Sequence, residues 1–391
     1  MERTQPLVAG VVTALVGFAS SFTVVLAGLR AVGADERQAA SGLMALCVAV
    51  GVVSIALGLR HRMPITIAWS TPGAALLLTA GGSFAEAVGA FVVCGLLVMA
   101  AGLVPWLGRA IAAIPGPIAA AMLAGVLLKL CLAPVQAMLD VPYLAGPVIL
   151  VWALLYRFAR TWAVPGALAA AAAVIAVTNP PGRLSLVPVV EFTAPVFSVS
   201  AVAGIGVPLF LVTMAAQNIP GMAVLSGYGY RPPLRGVLLA TGAASALGAP
   251  FGGHAVNLAA ITAALAASPE AAPDPARRWI ASVTAGASMI GLGLLSSAAA
   301  ALVLLSPPVL VTAVAGLALF GALGSALSSA FTEAHGREGA VVTFAVTASG
   351  VSWLGVGSAF WGLVAGGLMH LLLFRRPQAA SLRSTLPTDS R

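Results

Sequence analysis

Polar positions along this chain gather between long apolar stretches instead of alternating with them. Such stretches, rich in Ala, Leu, Val and Gly, read as membrane helices, which satisfy their backbone N–H and C=O groups internally. The period-two alternation of a membrane β-strand is absent. The apolar runs cover 7–29, 39–58, 64–80, 84–104, 110–130, 142–160, 162–178, 199–219, 234–249, 251–267, 278–298, 306–325, 339–354 and 357–374. One crossing takes about 20 apolar residues, so the expected fold is an all-α polytopic membrane protein with about 14 transmembrane segments.

Two runs do not read as continuous helices. Pro64-Ile-Thr-Ile-Ala-Trp69-Ser70-Thr71-Pro72-Gly73 and Pro250-Phe251-Gly252-Gly253-His254-Ala-Val-Asn257 each open on proline. Each reaches a helix-capping residue seven positions later, Thr71 or Asn257, before an Ala/Leu-rich run. The order recurs further on: Gly125 stands eight residues after Pro117, and Gly316 eight after Pro308. Thr71 to Pro117 is 46 residues and Asn257 to Pro308 is 51. An odd number of spans per half inverts the second half, so the pattern predicts two inverted 7-helix repeats. Paired broken segments in corresponding halves point to the binding site of a secondary transporter.

Composition supports the class. Hydrophobic residues make up 60% and charged residues 8%, with a mean hydropathy of +1.05; soluble domains carry about 25% charged residues. The net charge of +8 is scattered singly between apolar runs, which excludes a nucleic-acid-binding patch and suits the positive-inside rule. With both termini cytoplasmic, the Lys/Arg residues outside are Arg30, Arg37, Lys129 and Arg183, while Arg109, Arg157 and Arg160 fall inside with all the rest. Cys47, Cys94 and Cys131 show no CxxC spacing and suggest neither a disulfide nor a metal site. The N-terminus reads as a retained first span, and residues 377–391 as a disordered cytoplasmic tail.

No carboxylate and no Arg falls at the centre of an expected span, so a cationic substrate lacks a counter-ion. An anion is easier to place. Half-helix N-termini meeting at mid-membrane aim unpaired N–H groups and dipole ends at one point. The donors expected are the backbone around Thr71–Gly73 and Asn257–Ala259, with Ser70, Thr71 and Asn257 side chains assisting and Pro72 at the first helical turn. Thr71 and Asn257 also serve simply as caps. Gln217 and Asn218, two amides in an apolar run, line a cavity or bond between helices; Ser20 and Ser21 hold the matching place in the first span. His254 is the candidate proton acceptor or a neutral hydrogen-bonding group. Trp69 and Phe251 offer aromatic faces or packing. An intramembrane enzyme would need a nucleophile–base pair, and His254 has no Cys, Asp or Glu near it in sequence.

The segments Pro64–Ala75, Leu211–Met222, Gly227–Pro233 and Phe251–Leu258 resemble the benzoate/proton symporter family of bacterial inner membranes, related in fold to nucleobase–ascorbate and sulfate-type anion transporters. The resemblance implies a core domain from 1–108 and 199–304, a gate domain from 109–198 and 305–376, and short strands in spans 3 and 10. Substrate would lie between the strands' half-helices, in a site of Ser20, Ser21, Trp69–Gly73, Gln217, Asn218, Phe251–His254 and Asn257. Benzoate or a related aromatic carboxylate would enter with protons by an elevator-like shift of core against gate, often within a homodimer, without a cofactor. An exchanger or channel for other anions is the alternative. The nucleobase branch carries carboxylates where Gln217 and Val256-Asn257 stand here, which argues against a nucleobase and leaves the proton acceptor open.

Overall fold

The computed structural model describes residues 4–104, 115–178, 187–259, 261–305, 307–332, 336–351, 353 and 358–374. The expected tail 377–391, with Arg109 and Arg183, lies outside them. The first half comprises α1 (Gln5–Ala19), α2 (Phe22–Ala31), α3 (Glu36–His61), β1 (Ile67–Trp69), α4 (Thr71–Leu77), α5 (Phe84–Leu103), α6 (Gly116–Asp140), α7 (Pro142–Phe158) and α8 (Ala163–Thr178). The second comprises α9 (Val199–Gly227), α10 (Leu234–Gly248), β2 (Val256–Leu258), α11 (Ile261–Ala267), α12 (Trp279–Gly293), α13 (Ser296–Leu305), α14 (Pro308–Phe331), α15 (Arg337–Ala348) and α16 (Ser358–Phe374). Among the described residues, seven helical stretches are long and apolar enough to cross a membrane.

Local chemistry sets several ends. Asp35 and Gln38 close a capping box on α3, and Ser83 and Glu86 do so on α5, pairing the orphan N–H groups of each first turn. The first apolar run, expected as one span, breaks at Ser20-Ser21. Both hydroxyls donate to the Gly17 carbonyl, at 3.0 and 3.2 Å, and Ser21 leaves the helical region at φ −149°. Short hydroxyl side chains compete for helix carbonyls in this way. The expected 278–298 span likewise divides, into α12 and α13.

α9 is a helix interrupted by two π turns, Val202–Gly206 and Met214–Asn218. Each lies just before a proline, Pro208 or Pro220. A proline ring clashes with the carbonyl four residues back. Those residues, Gly204 and Ala216, sit inside the widened turns, so the prolines explain both irregularities.

The two broken segments meet. β1 and β2 pair antiparallel with Ala68 opposite Asn257, and the ladder extends through Ser70 N–H to Ala255 O and Ala259 N–H to Thr66 O, both 2.9 Å. Because each strand feeds a half-helix, antiparallel pairing places the α4 and α11 N-termini at opposite ends of the ribbon. Before β2, the chain turns at Gly252 (φ +92°), where a side chain would strain the backbone and meet Gly42 Cα at 2.9 Å.

Burial falls into two main bodies. The larger core draws on α2, α3, α4, α5, α9, α10 and both strands, together with parts of α6 and α14. The smaller holds Ala137, Ala145, Val148, Ala167, Ala171, Leu310, Ala313, Val314 and Leu317, from α6, α7, α8 and α14.

Candidate substrate cavity

Between these bodies lies a cavity of about 600 Å³, a size suited to a small organic ligand. Its floor is the first broken segment, Thr66–Trp69 with Thr71 and Pro72. One wall is α1, through Thr13, Ala14, Gly17 and Ser20, with Ser21 just beyond; the facing wall carries Trp152, Tyr156 and Arg160. Gln217, Ala259, Thr262 and Met289 enter from the second half.

Three side chains behind the floor satisfy the ribbon's outward backbone N–H groups. The Ser54 hydroxyl accepts from Ile67 N–H at 3.0 Å, Ser245 from Val256 N–H at 2.9 Å, and Asn218 Oδ1 from Leu258 N–H at 2.9 Å. The outward N–H groups of a two-stranded ribbon in an apolar interior are thereby satisfied. Trp69, 3% exposed, donates its indole N–H to Ser21 Oγ at 2.9 Å and receives the edge of Phe18. Thr66 Oγ1 and Trp152 Nε1 are buried without a partner among the described residues.

The expected site is brought together in part. Ser20, Ser21, Trp69, Thr71, Pro72 and Gln217 line the cavity. Ser70 and Gly73 lie just beneath: Ser70, not Thr71, is the N-cap of α4, its hydroxyl accepting from Gly73 N–H at 3.2 Å and from the Thr213 hydroxyl at 2.9 Å. Pro72 has no N–H and Ala74 N–H bonds Ser70 O, so Thr71 N–H is the donor this tip leaves over. Among the described residues Asn257 caps no helix. It sits in β2, four residues before α11, with Nδ2 donating to Leu258 O and Oδ1 unpartnered; the ladder to β1 holds it extended. Asn218 also faces away from the cavity lining, spent on β2.

Phe251, Gly252, Gly253 and His254 lie off the cavity. Phe251 is 37% exposed and meets the edge of Phe192, while Gly252 packs on α3. His254 is fully buried against Phe91; its Nδ1 accepts from Ala255 N–H and its Nε2 has no partner among the described residues.

Sequence reasoning missed the facing wall. Trp152, Tyr156 and Arg160 recur every four residues, the helical spacing of one face, which was the available signal. Arg160, expected only as a cytoplasmic loop charge, lines the cavity and is the sole charged residue there among those described.

A family profile described as "Benzoate membrane transport protein" matches residues 2–372. The chain is 38% identical to "Inner membrane protein YdcO" of Escherichia coli over 372 residues, 94% of this chain and 95% of that one. It is 30% identical to the "Benzoate membrane transport protein" of Acinetobacter baylyi over 381 residues, 95% and 96% of the two chains. Among solved structures, the transmembrane domain of the cyanobacterial bicarbonate transporter BicA superposes with TM-score 0.59 at 16% identity, covering 94% of this chain and 98% of that one. The murine Solute Carrier 26 family member A9 anion transporter, in its inward-facing state, gives TM-score 0.60 at 13% identity, covering 94% and 68%.

Proposed function

The chain belongs to the benzoate membrane transport protein family, and from that premise we propose that it is a secondary active transporter importing benzoate or a related aromatic carboxylate with protons. The observation that carries the reading is the cavity itself: aromatic on two sides through Trp69, Trp152 and Tyr156, and lined by no acidic side chain among the described residues. Aromatic faces suit a planar ring, and a carboxylate entering an apolar space needs donors but no opposing anion. Relatives that are membrane transport proteins leave no place for an enzymatic reading.

The finer architecture belongs to the same proposal. Fourteen spans in two inverted repeats would form the core (1–108 and 199–304) and gate (109–198 and 305–376), and the two apolar bodies on either side of the cavity support that division. Transport would move core against gate as an elevator, in a multi-pass protein of the bacterial inner membrane with both ends cytoplasmic and room for a homodimer. His254 is the proposed proton group, since a buried nitrogen without a partner calls for an explanation.

Purified protein in liposomes, given labelled benzoate and an imposed pH gradient, is the test. Accumulation that follows the gradient, is saturable, and is competed by benzoate but not by sulfate, chloride or bicarbonate supports the reading. Gradient-independent flux competed by inorganic anions would replace it with the exchanger or channel of the same fold.

A further inference from the structure

The facing wall carries chemistry the binding floor lacks. α7 ends at Phe158, and Ala159 leaves the helix at φ −150°. Arg160 therefore folds back along α7: its guanidinium lies 4.6 Å from the Tyr156 ring centre and donates to the Tyr156 hydroxyl. Tyr156 in turn stacks on Trp152, with ring centres 5.0 Å apart and planes at 29°. Phe320 of α14 meets Trp152 with ring planes at 88° and centres 5.4 Å apart.

This ladder has one cationic end and no anion. Among the described residues the ion pair present is Arg37–Glu191, away from the cavity, and Arg160 has no carboxylate partner. Exposure grades along the cavity, from an exposed Arg160 and Tyr156 at the rim to Thr66 and Trp69, each 3% exposed, at the floor. Two buried polar atoms border the same space unpaired, Thr66 Oγ1 on the floor and Trp152 Nε1 on the wall. Orphan polar atoms on both sides of a partly enclosed space indicate a polar occupant.

We propose that Arg160 is the carboxylate-docking residue of this cavity, positioned by Tyr156, and that Trp152 holds the substrate ring. The proposal rests on the aromatic-carboxylate reading and assigns its charge recognition to the gate wall. A guanidinium presents a planar fork of donors that matches a carboxylate. The Tyr156 hydroxyl and ring hold that fork in place, and a ring on Trp152 puts its carboxylate toward the rim. Cation, aromatic face and small polar floor together select an aromatic acid over an inorganic anion.

Equilibrium binding of labelled benzoate to the purified protein, competed in turn by benzyl alcohol and cyclohexanecarboxylate, tests this. Arg160→Gln should weaken benzoate at least tenfold, the loss typical of a charged hydrogen bond, and leave competition by benzyl alcohol within twofold. Arg160→Lys should restore part of the loss. Trp152→Leu should erase the preference for benzoate over cyclohexanecarboxylate while Arg160 still demands a charge. Should Arg160→Gln not yield folded protein, Arg160→Met, apolar and of like length, carries the same comparison. Benzoate binding unchanged by loss of the guanidinium overturns the proposal and leaves the transport reading standing. A wild type that binds no aromatic acid overturns both.

Discussion

At the scale of single residues, the fold spends its few polar side chains on holding the ribbon. Ser70 illustrates this, taking two hydrogen bonds, one from Gly73 N–H and one from the Thr213 hydroxyl of α9. Ser70→Ala removes a cap and orphans a fully buried hydroxyl, a loss of about 1 to 2 kcal/mol. Thermal unfolding in detergent should show a lowered midpoint, and Ser70→Ala combined with Thr213→Ala should cost less than the sum of the two; strict additivity would mean the bond is not coupled as described. His254 makes the opposite case, a buried ring with one nitrogen committed and one idle. If it carries the coupled proton, His254→Gln should abolish gradient-driven accumulation while benzoate counterflow across the same liposomes continues. Accumulation retained in His254→Gln would remove His254 from the coupling step.

At the scale of elements, the breaks were legible and their inner geometry was not. Prolines and glycines at 64–73 and 250–257 announce that no continuous helix runs there, because they withhold N–H groups or favour left-handed turns. Which residue then caps α4 turns on whether Ser70 or Thr71 is the last extended one, a choice made by the ladder bond from Ser70 N–H to Ala255 O. That bond reaches 185 residues along the chain and leaves no local mark. The same ladder takes Asn257 from a helix start into a strand. The π turns of α9 are similar: Pro220 is visible, while the turn that seats Gln217 on the cavity and Asn218 on β2 depends on how the helix relieves the clash. Pro220→Ala lets the turn relax toward α-helix, rotating one side of the break by about 100° relative to the other. Benzoate affinity should fall several-fold, with the protein still folded and monodisperse. Unaltered affinity would mean that Gln217 keeps its place without the π turn.

At the scale of the whole molecule, the cavity matters because it lies on a seam. Its floor and α1 wall belong with the larger apolar body, while Trp152, Ala163 and Leu317 belong with elements of the smaller one. The sequence pattern located the floor, where backbone breaks are conspicuous, and passed over the far wall, where Trp152, Tyr156 and Arg160 look like an ordinary helix end. A packed interface of this kind has discrete arrangements and does not deform continuously, so turnover by elevator motion requires α1 and α8 to slide past one another. Thr13 and Val164 line the cavity from those two helices. With Cys47, Cys94 and Cys131 replaced, Thr13→Cys and Val164→Cys bridged by a short bifunctional thiol reagent should stop benzoate uptake. Cleavage of a reducible version should restore it, and either cysteine alone should transport normally after the same treatment. The bridge replaces neither the ribbon's groups nor Trp152 and Arg160, so the bridged protein should still bind benzoate from the side on which the cavity opens. Uptake that continues with both cysteines linked would rule out relative motion of these two walls and require gating by smaller movements within a fixed frame.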